Sequence, residues 1–176
     1  MKCTAVTALG ALFASAAVAQ DITGSGHIYV INNTDFNTAS PADGIACLDV
    51  TGALTLSDCA IFTRLPDYPR SLSTSAGNCS FTDSSQVANT DSVYGAKSYA
   101  WHCRPDYVTT NSDSLYTVTG FKYPFLCHDD ANCFYDIKEL PTEDATQPVW
   151  RFLWGGEQWS VPEGHTKVTW YWDKTA

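Results

Sequence analysis

The sequence predicts an all-β protein, an antiparallel barrel or sandwich of short strands stapled by disulfides. Three observations carry that expectation. Short runs of β-branched and aromatic residues recur along the chain with turn residues between them. No stretch beyond the first nineteen residues sustains a 3.6-residue apolar stripe, so long amphipathic helices are excluded. Seven cysteines and 13% aromatic residues supply staples and a rigid core, while only 16% of residues are charged, which rules out a disordered tail or a coiled coil.

The elements follow in chain order. Lys2 precedes an apolar, alanine-rich run over residues 5–18 that ends in Ala17-Val18-Ala19, a small-x-small cleavage pattern. Residues 1–19 are therefore expected to be a signal peptide, with Gln20 opening a secreted, extracellular protein. The run is too short to span a membrane, which needs about 20 apolar residues. Residues 20–43 read as a loose N-terminal lead-in with one strand at 27–31, and residues 44–176 as a single β domain. Further strands are expected at 47–50, 54–56, 59–63, 99–103, 115–119, 134–137, 149–154 and 167–172. Turns fall at Thr51-Gly52, Ala76-Gly77-Asn78, Thr119-Gly120, Gly155-Gly156 and Glu163-Gly164. The polar stretches 83–94 and 108–114 read as surface loops.

Cys3 departs with the signal peptide and leaves Cys47, Cys59, Cys79, Cys103, Cys127 and Cys133. An even set in an oxidising compartment reads as three disulfides, with 15 connectivities open. Sequential pairing is the expectation, because Cys47 and Cys59 bracket a hairpin and Cys127 and Cys133 a tight loop. Zinc is discounted, since there is no Cys-x-x-Cys pair and no His-x₃₋₅-His partner. Sequons at Asn32 and Asn78 are candidate glycosylation sites. Asn32 is the better acceptor, because disulfide formation at Cys79 competes with glycan transfer at its neighbour.

The net charge is −9. Such a surface repels phosphate backbones and anionic lipids, so neither nucleic acid nor membrane is an expected partner. Gly-x-Ser-x-Gly and phosphate-cradling glycine loops are absent. The run from Asp129 to Asn132 resembles part of a calcium loop but lacks the glycine and terminal glutamate, and reads as a solvated acidic turn. His27, His102, His128 and His165 have no metal spacing and read as partner-free surface or edge residues. No catalytic residue, metal or cofactor is expected, although scattered carboxylates leave a glycosidase-like pair open.

The tryptophans give the one binding candidate. Alternation places Trp150, Phe152 and Trp154 on one face with Arg151 opposite, and Val168, Trp170 and Trp172 on another with Lys167 and Thr169 opposite. Both faces are expected to be core rather than sugar platforms. Trp159 follows Gly155-Gly156-Glu157-Gln158, a polar turn with no periodic reason to bury it, so Trp159, Glu157 and Gln158 form a candidate ligand loop. A lid over the barrel end is the structural alternative for Trp159.

One stretch is familiar. Cys47-Leu48, Gly52, Leu54-Thr55, Cys59-Ala60 and Phe62-Thr63 are followed by Leu72-Ser73, Ser75, Gly77 and Cys79, and later by Phe134-Tyr135, Pro141, Gln147, Gly155 and Val168-Thr169-Trp170. Together these resemble the small β domain at the C-terminus of fungal ribonuclease T(2)-like proteins, from Gly44 onward, with an insertion around residues 83–116. The resemblance implies an all-β accessory domain of fungal type and carries over no catalytic residue. The family's His-Gly motifs are absent, and residues 20–43 are too few to hold its enzyme. The expectation is a monomeric, secreted, non-enzymatic β module that binds a polysaccharide or an extracellular host protein. The alternative is a small secreted hydrolase, either a ribonuclease or a glycosidase.

Overall fold

The computed structural model describes residues 19–20, 22–129 and 132–176. Among them thirteen strands form: β1 (Ala19–Gln20), β2 (Ser25–Ile31), β3 (Gly44–Leu48), β4 (Leu54–Thr55), β5 (Phe62–Arg64), β6 (Leu72–Thr74), β7 (Gly77–Ser80), β8 (His102–Arg104), β9 (Tyr116–Val118), β10 (Phe125–Cys127), β11 (Tyr135–Ile137), β12 (Trp150–Arg151) and β13 (Thr166–Lys174). Three single turns of 3₁₀ helix are the helical content of these residues, and none is long or apolar enough to cross a membrane. The all-β expectation holds. Residues 1–18 lie outside the described part, and with them all of the expected signal peptide but its last residue.

Every strand pairing is antiparallel, along the path β1-β9-β10-β13-β2-β5-β6-β7-β8, with β3 and β4 branching from β2 and β11 and β12 branching from β13. The axis is β2 against β13, in register from Ile31↔Thr169 to Gly26↔Lys174. Both strands alternate, and Ile28, Val30, Val168, Trp170 and Trp172 send their side chains inward. Residues 20–43 are therefore no loose lead-in. They carry the strand that pairs with β13, β3 and β5, so the folding unit begins before Gly44. Apolar alternation over 27–31 showed a strand but not its partners, which lie far away in sequence.

Trp170 lies at the centre of the core. It stacks on Tyr135 with 3.7 Å between ring centroids and a 4° interplanar angle, and Phe81 and Trp101 pack against it at 5.9 and 5.8 Å. The disulfides pair sequentially, Cys47–Cys59, Cys79–Cys103 and Cys127–Cys133. The first staples β3 to the segment after β4, the second ties β7 to β8, and the third closes the loop after β10. Each limits the unfolded chain by about 2–4 kcal/mol.

The two polar stretches differ from the solvated loops expected of them. Asp83, Asn89, Ser92 and Asp113 are buried. Asp113 accepts from Ser80 Oγ (2.7 Å), Phe81 N (3.0 Å), Thr110 N (2.7 Å) and Thr110 Oγ1 (2.9 Å). Asp83 accepts from the Tyr107 hydroxyl and Ser85, with Arg104 at 3.3 Å. Polar composition reports that a segment needs hydrogen bonds, and these find them inside the protein instead of in water.

Candidate functional site

The site grows from the outer face of the β12-β11-β13 ribbon. Registers Asp136↔Trp150 and Asp136↔Lys167 put these three residues on one face, and Phe134, opposite Phe152, follows two residues along on the same face. The opposite face carries Tyr135 and Val168 into the core. Arg151 shares that inner face. It is buried, its guanidinium lies 5.1 Å from the Phe81 ring centre, and Nη1 donates to Ser112 O at 3.0 Å. Alternation thus grouped Trp150, Phe152 and Trp154 correctly but not their side of the sheet. The arginine faces inward because a carbonyl, an aromatic face and Asp129 are there to meet it.

The segment 83–98 roofs one end of this outer face. Trp150 Nε1 donates to Val87 O at 2.9 Å, and Asn89 Nδ2 to Asp136 Oδ2 at 2.7 Å. His165, its ring buried, bridges Asp136 Oδ1 (2.8 Å) and Asp91 Oδ2 (3.1 Å), with Lys138 on Asp91. Burial raises the Asp136 carboxyl above its ordinary range, against the hydrogen bonds from Asn89 and His165. The other end is left open. There Asn132, Phe134, Phe152, Trp154, Trp159 and Lys167 line a groove of about 330 Å³. A smaller hollow of about 200 Å³ adjoins it beside Asp129, Asn132, Leu153 and Trp154.

The groove wall is a tight hairpin. Gly155 and Gln158 exchange both backbone hydrogen bonds, at 3.0 and 3.1 Å, with Gly156 and Glu157 at the tip. Trp154 and Trp159 therefore form the next cross-strand pair, the non-hydrogen-bonded kind in which side chains approach most closely. Their ring centroids lie 5.8 Å apart at 32°. They are 56% and 72% exposed.

Alternation sends Gln158 the other way. Gln158 is buried, and its Oε1 accepts from Ser92 Oγ (2.9 Å) and Val93 N (2.6 Å). A Cβ on Gly155 would lie 2.5 Å from the Tyr94 hydroxyl oxygen, so only glycine lets the hairpin seat against that ring. The same hydroxyl accepts from Glu157 N at 3.0 Å. Segment 92–94 thus holds the hairpin from behind while both indoles face solvent.

The structure separates the sequence candidates. Trp159 stands in the open, not as a lid. Glu157 is exposed at the tip, and Gln158 spends its carbonyl oxygen on Ser92 and Val93, away from the groove. Trp154, expected in the core with Trp150 and Phe152, is the second exposed indole, because the sheet face it occupies runs out from beneath the roof. Lys167 and Phe134 were not among the candidates. The signal for the pair was present in Trp-Gly-Gly-Glu-Gln-Trp, a two-residue turn with equal spacing on each side.

His27, His128 and His165 are not partner-free. His128 is fully buried, bonded to Asp129 Oδ2 (2.8 Å) and Phe134 O (3.1 Å), and His27 meets Ala60 O at 2.9 Å. The His128 ring holds the Asp129 carboxyl below the usual carboxylate range, against partial burial. Asn132, expected in a solvated turn, is buried and donates to Phe152 O at 2.6 Å. No cluster of three or more metal-ligating side chains occurs among the described residues. No family model, curated protein or solved structure matches this chain.

Proposed function

We propose that the protein is a secreted, non-enzymatic β module that binds carbohydrate on the Trp154–Trp159 platform. The observation that carries this reading is a pair of exposed indoles fixed side by side on a braced hairpin. Exposed aromatic surface is unfavourable unless it is used, and the apolar C–H face of a pyranose stacks on indole while its hydroxyls stay hydrated. Three disulfides and a braced loop suit a platform that must keep its shape outside the cell. A polysaccharide is preferred over a host protein as the ligand, because the groove of about 330 Å³ sets the two indoles beside the polar groups of Asn132 and Lys167. The likeness to the ribonuclease T(2)-like accessory domain is proposed on its quoted residues alone and agrees with a binding role.

The hydrolase alternative has less support. The carboxyl with a raised pKa, Asp136, would be the natural general acid. It lies beneath the 83–98 roof with its oxygens engaged by Asn89 and His165, where a glycosidic oxygen has no access.

Retention of the secreted protein on insoluble polysaccharides tests the reading. We expect it on at least one of cellulose, chitin, β-glucan or xylan, with loss on Trp159→Ala. No retention on any of them, or undiminished retention of the variant, overturns it. Turnover of RNA or glycan would favour the hydrolase.

A further inference from the structure

Lys167 is seated on aromatic rings instead of on a carboxylate. Its ammonium lies over Phe134 at 4.5 Å and Phe152 at 5.6 Å from the ring centres, inside the groove that Trp154 and Trp159 wall. Among the described residues no carboxylate lies within ion-pairing distance of it, although the chain holds 19 acidic residues to 10 basic. Asp136 sits opposite it in the sheet, yet turns its oxygens to Asn89 and His165. The two phenyl faces hold the cation at the groove floor without neutralising it. Beside the indoles this leaves one positive charge waiting for an anion.

We propose that the groove selects sugars bearing a carboxylate, a uronic acid within an otherwise neutral glycan. This deepens the carbohydrate reading and rests on it. The pyranose ring stacks on Trp154 and Trp159, and its carboxylate pairs with the Lys167 ammonium. One cation reads one carboxylate, and a groove of about 330 Å³ admits a short stretch of glycan. A densely charged polyuronate is opposed by the net charge of −9. An isolated carboxylate is governed by the charge it touches, since exposed charges beyond about 8 Å are screened at physiological salt. Apolar stem packing alone would ask for no charge at this position; methionine would cover the same rings.

The test uses a panel of oligosaccharides that each carry one uronic acid, each paired with its carboxyl-reduced form, in which a primary alcohol replaces the acid. Calorimetric titration of the secreted protein should show at least one acidic member binding about tenfold more tightly than its reduced partner. Lys167→Met should erase that preference, bringing each acidic glycan to the affinity of its reduced partner in the same variant, and Trp154→Ala should weaken both. Equal affinity for each acidic and reduced pair, with both still lost on Trp154→Ala, overturns the carboxylate inference and leaves the carbohydrate reading standing. Binding of no member in either form overturns both. A preference that survives in Lys167→Met assigns the anion to another group and also overturns the inference.

Discussion

Asp113 is the residue whose replacement tests the packing account most sharply. It lies in a stretch rich in Ser, Asn and Asp, yet it has no exposed surface and accepts four hydrogen bonds. Asp113→Asn keeps the shape and puts an NH₂ group where one oxygen was. The amide oxygen goes to the deeper pair, Ser80 Oγ and Phe81 N, which leaves the NH₂ against Thr110 N and Oγ1. The amide NH₂ then meets the Thr110 N–H donor to donor. The Thr110 hydroxyl can rotate away, but its backbone N–H is fixed by the 3₁₀ turn. An unmet buried donor costs about 1–3 kcal/mol, and Thr110 is near enough to solvent to recover part of that. The expected loss is about 1–2 kcal/mol, larger for Asp113→Ala, which strips the acceptor from Phe81 N as well. Urea unfolding with disulfides intact should show a lower midpoint at unchanged slope. Asp106→Asn, on an exposed residue of the same region, is the control. A change below about 0.5 kcal/mol for Asp113→Asn, the range of ordinary surface substitutions, would refute the clamp.

Further expectations follow from the same structure. Trp170→Ala should cost about 3–5 kcal/mol as a core truncation, whereas Trp159→Ala should leave the melting temperature nearly unchanged; equal losses would remove the distinction between core and platform. Burial raises Tyr135, and burial with the Asp83 carboxylate and hydrogen bond raises Tyr107, so both ionise more readily when unfolded, at about pH 10. Stability should therefore hold below about pH 10 and fall as pH rises beyond it, with a shallower fall in Tyr135→Phe; a flat profile there contradicts the burial. Expression in a glycosylating host should load Asn32, which is exposed, and leave Asn78 bare, because its amide donates to Tyr107 O at 3.0 Å. Glycopeptide mass mapping with the reverse occupancy would oppose this.

Local pattern carried much of this fold. The strands at 27–31, 134–137 and 167–172, the turns between them and the sequential disulfides were all legible, because alternation and short loop closure are local properties. What escaped was set by distant partners. Arg151 faces inward because Phe81 and Ser112 meet it there, and nothing in Trp150-Arg151-Phe152 says which side of the sheet has them. The polar stretches at 83–94 and 108–114 fold inward because Asp83 and Asp113 find donors on other strands. Trp159 was visible as an exposed aromatic from its turn, but its partner Trp154 was not, since alternation tied Trp154 to a face whose far end is roofed. Lys167 read as the polar side of a strand, and only the ribbon's register shows it above Phe134 and Phe152.

The central claim is that Trp154 and Trp159 form one binding surface. Calorimetric titration of a retained oligosaccharide against the wild type, Trp154→Ala, Trp159→Ala and the double variant tests it directly. Each single variant should lose about tenfold or more in affinity with its melting temperature held. The double variant should lose less than the product of the two, as residues acting on one sugar face must. Wild-type affinity in either single variant, or losses that track a drop in melting temperature, would contradict the account.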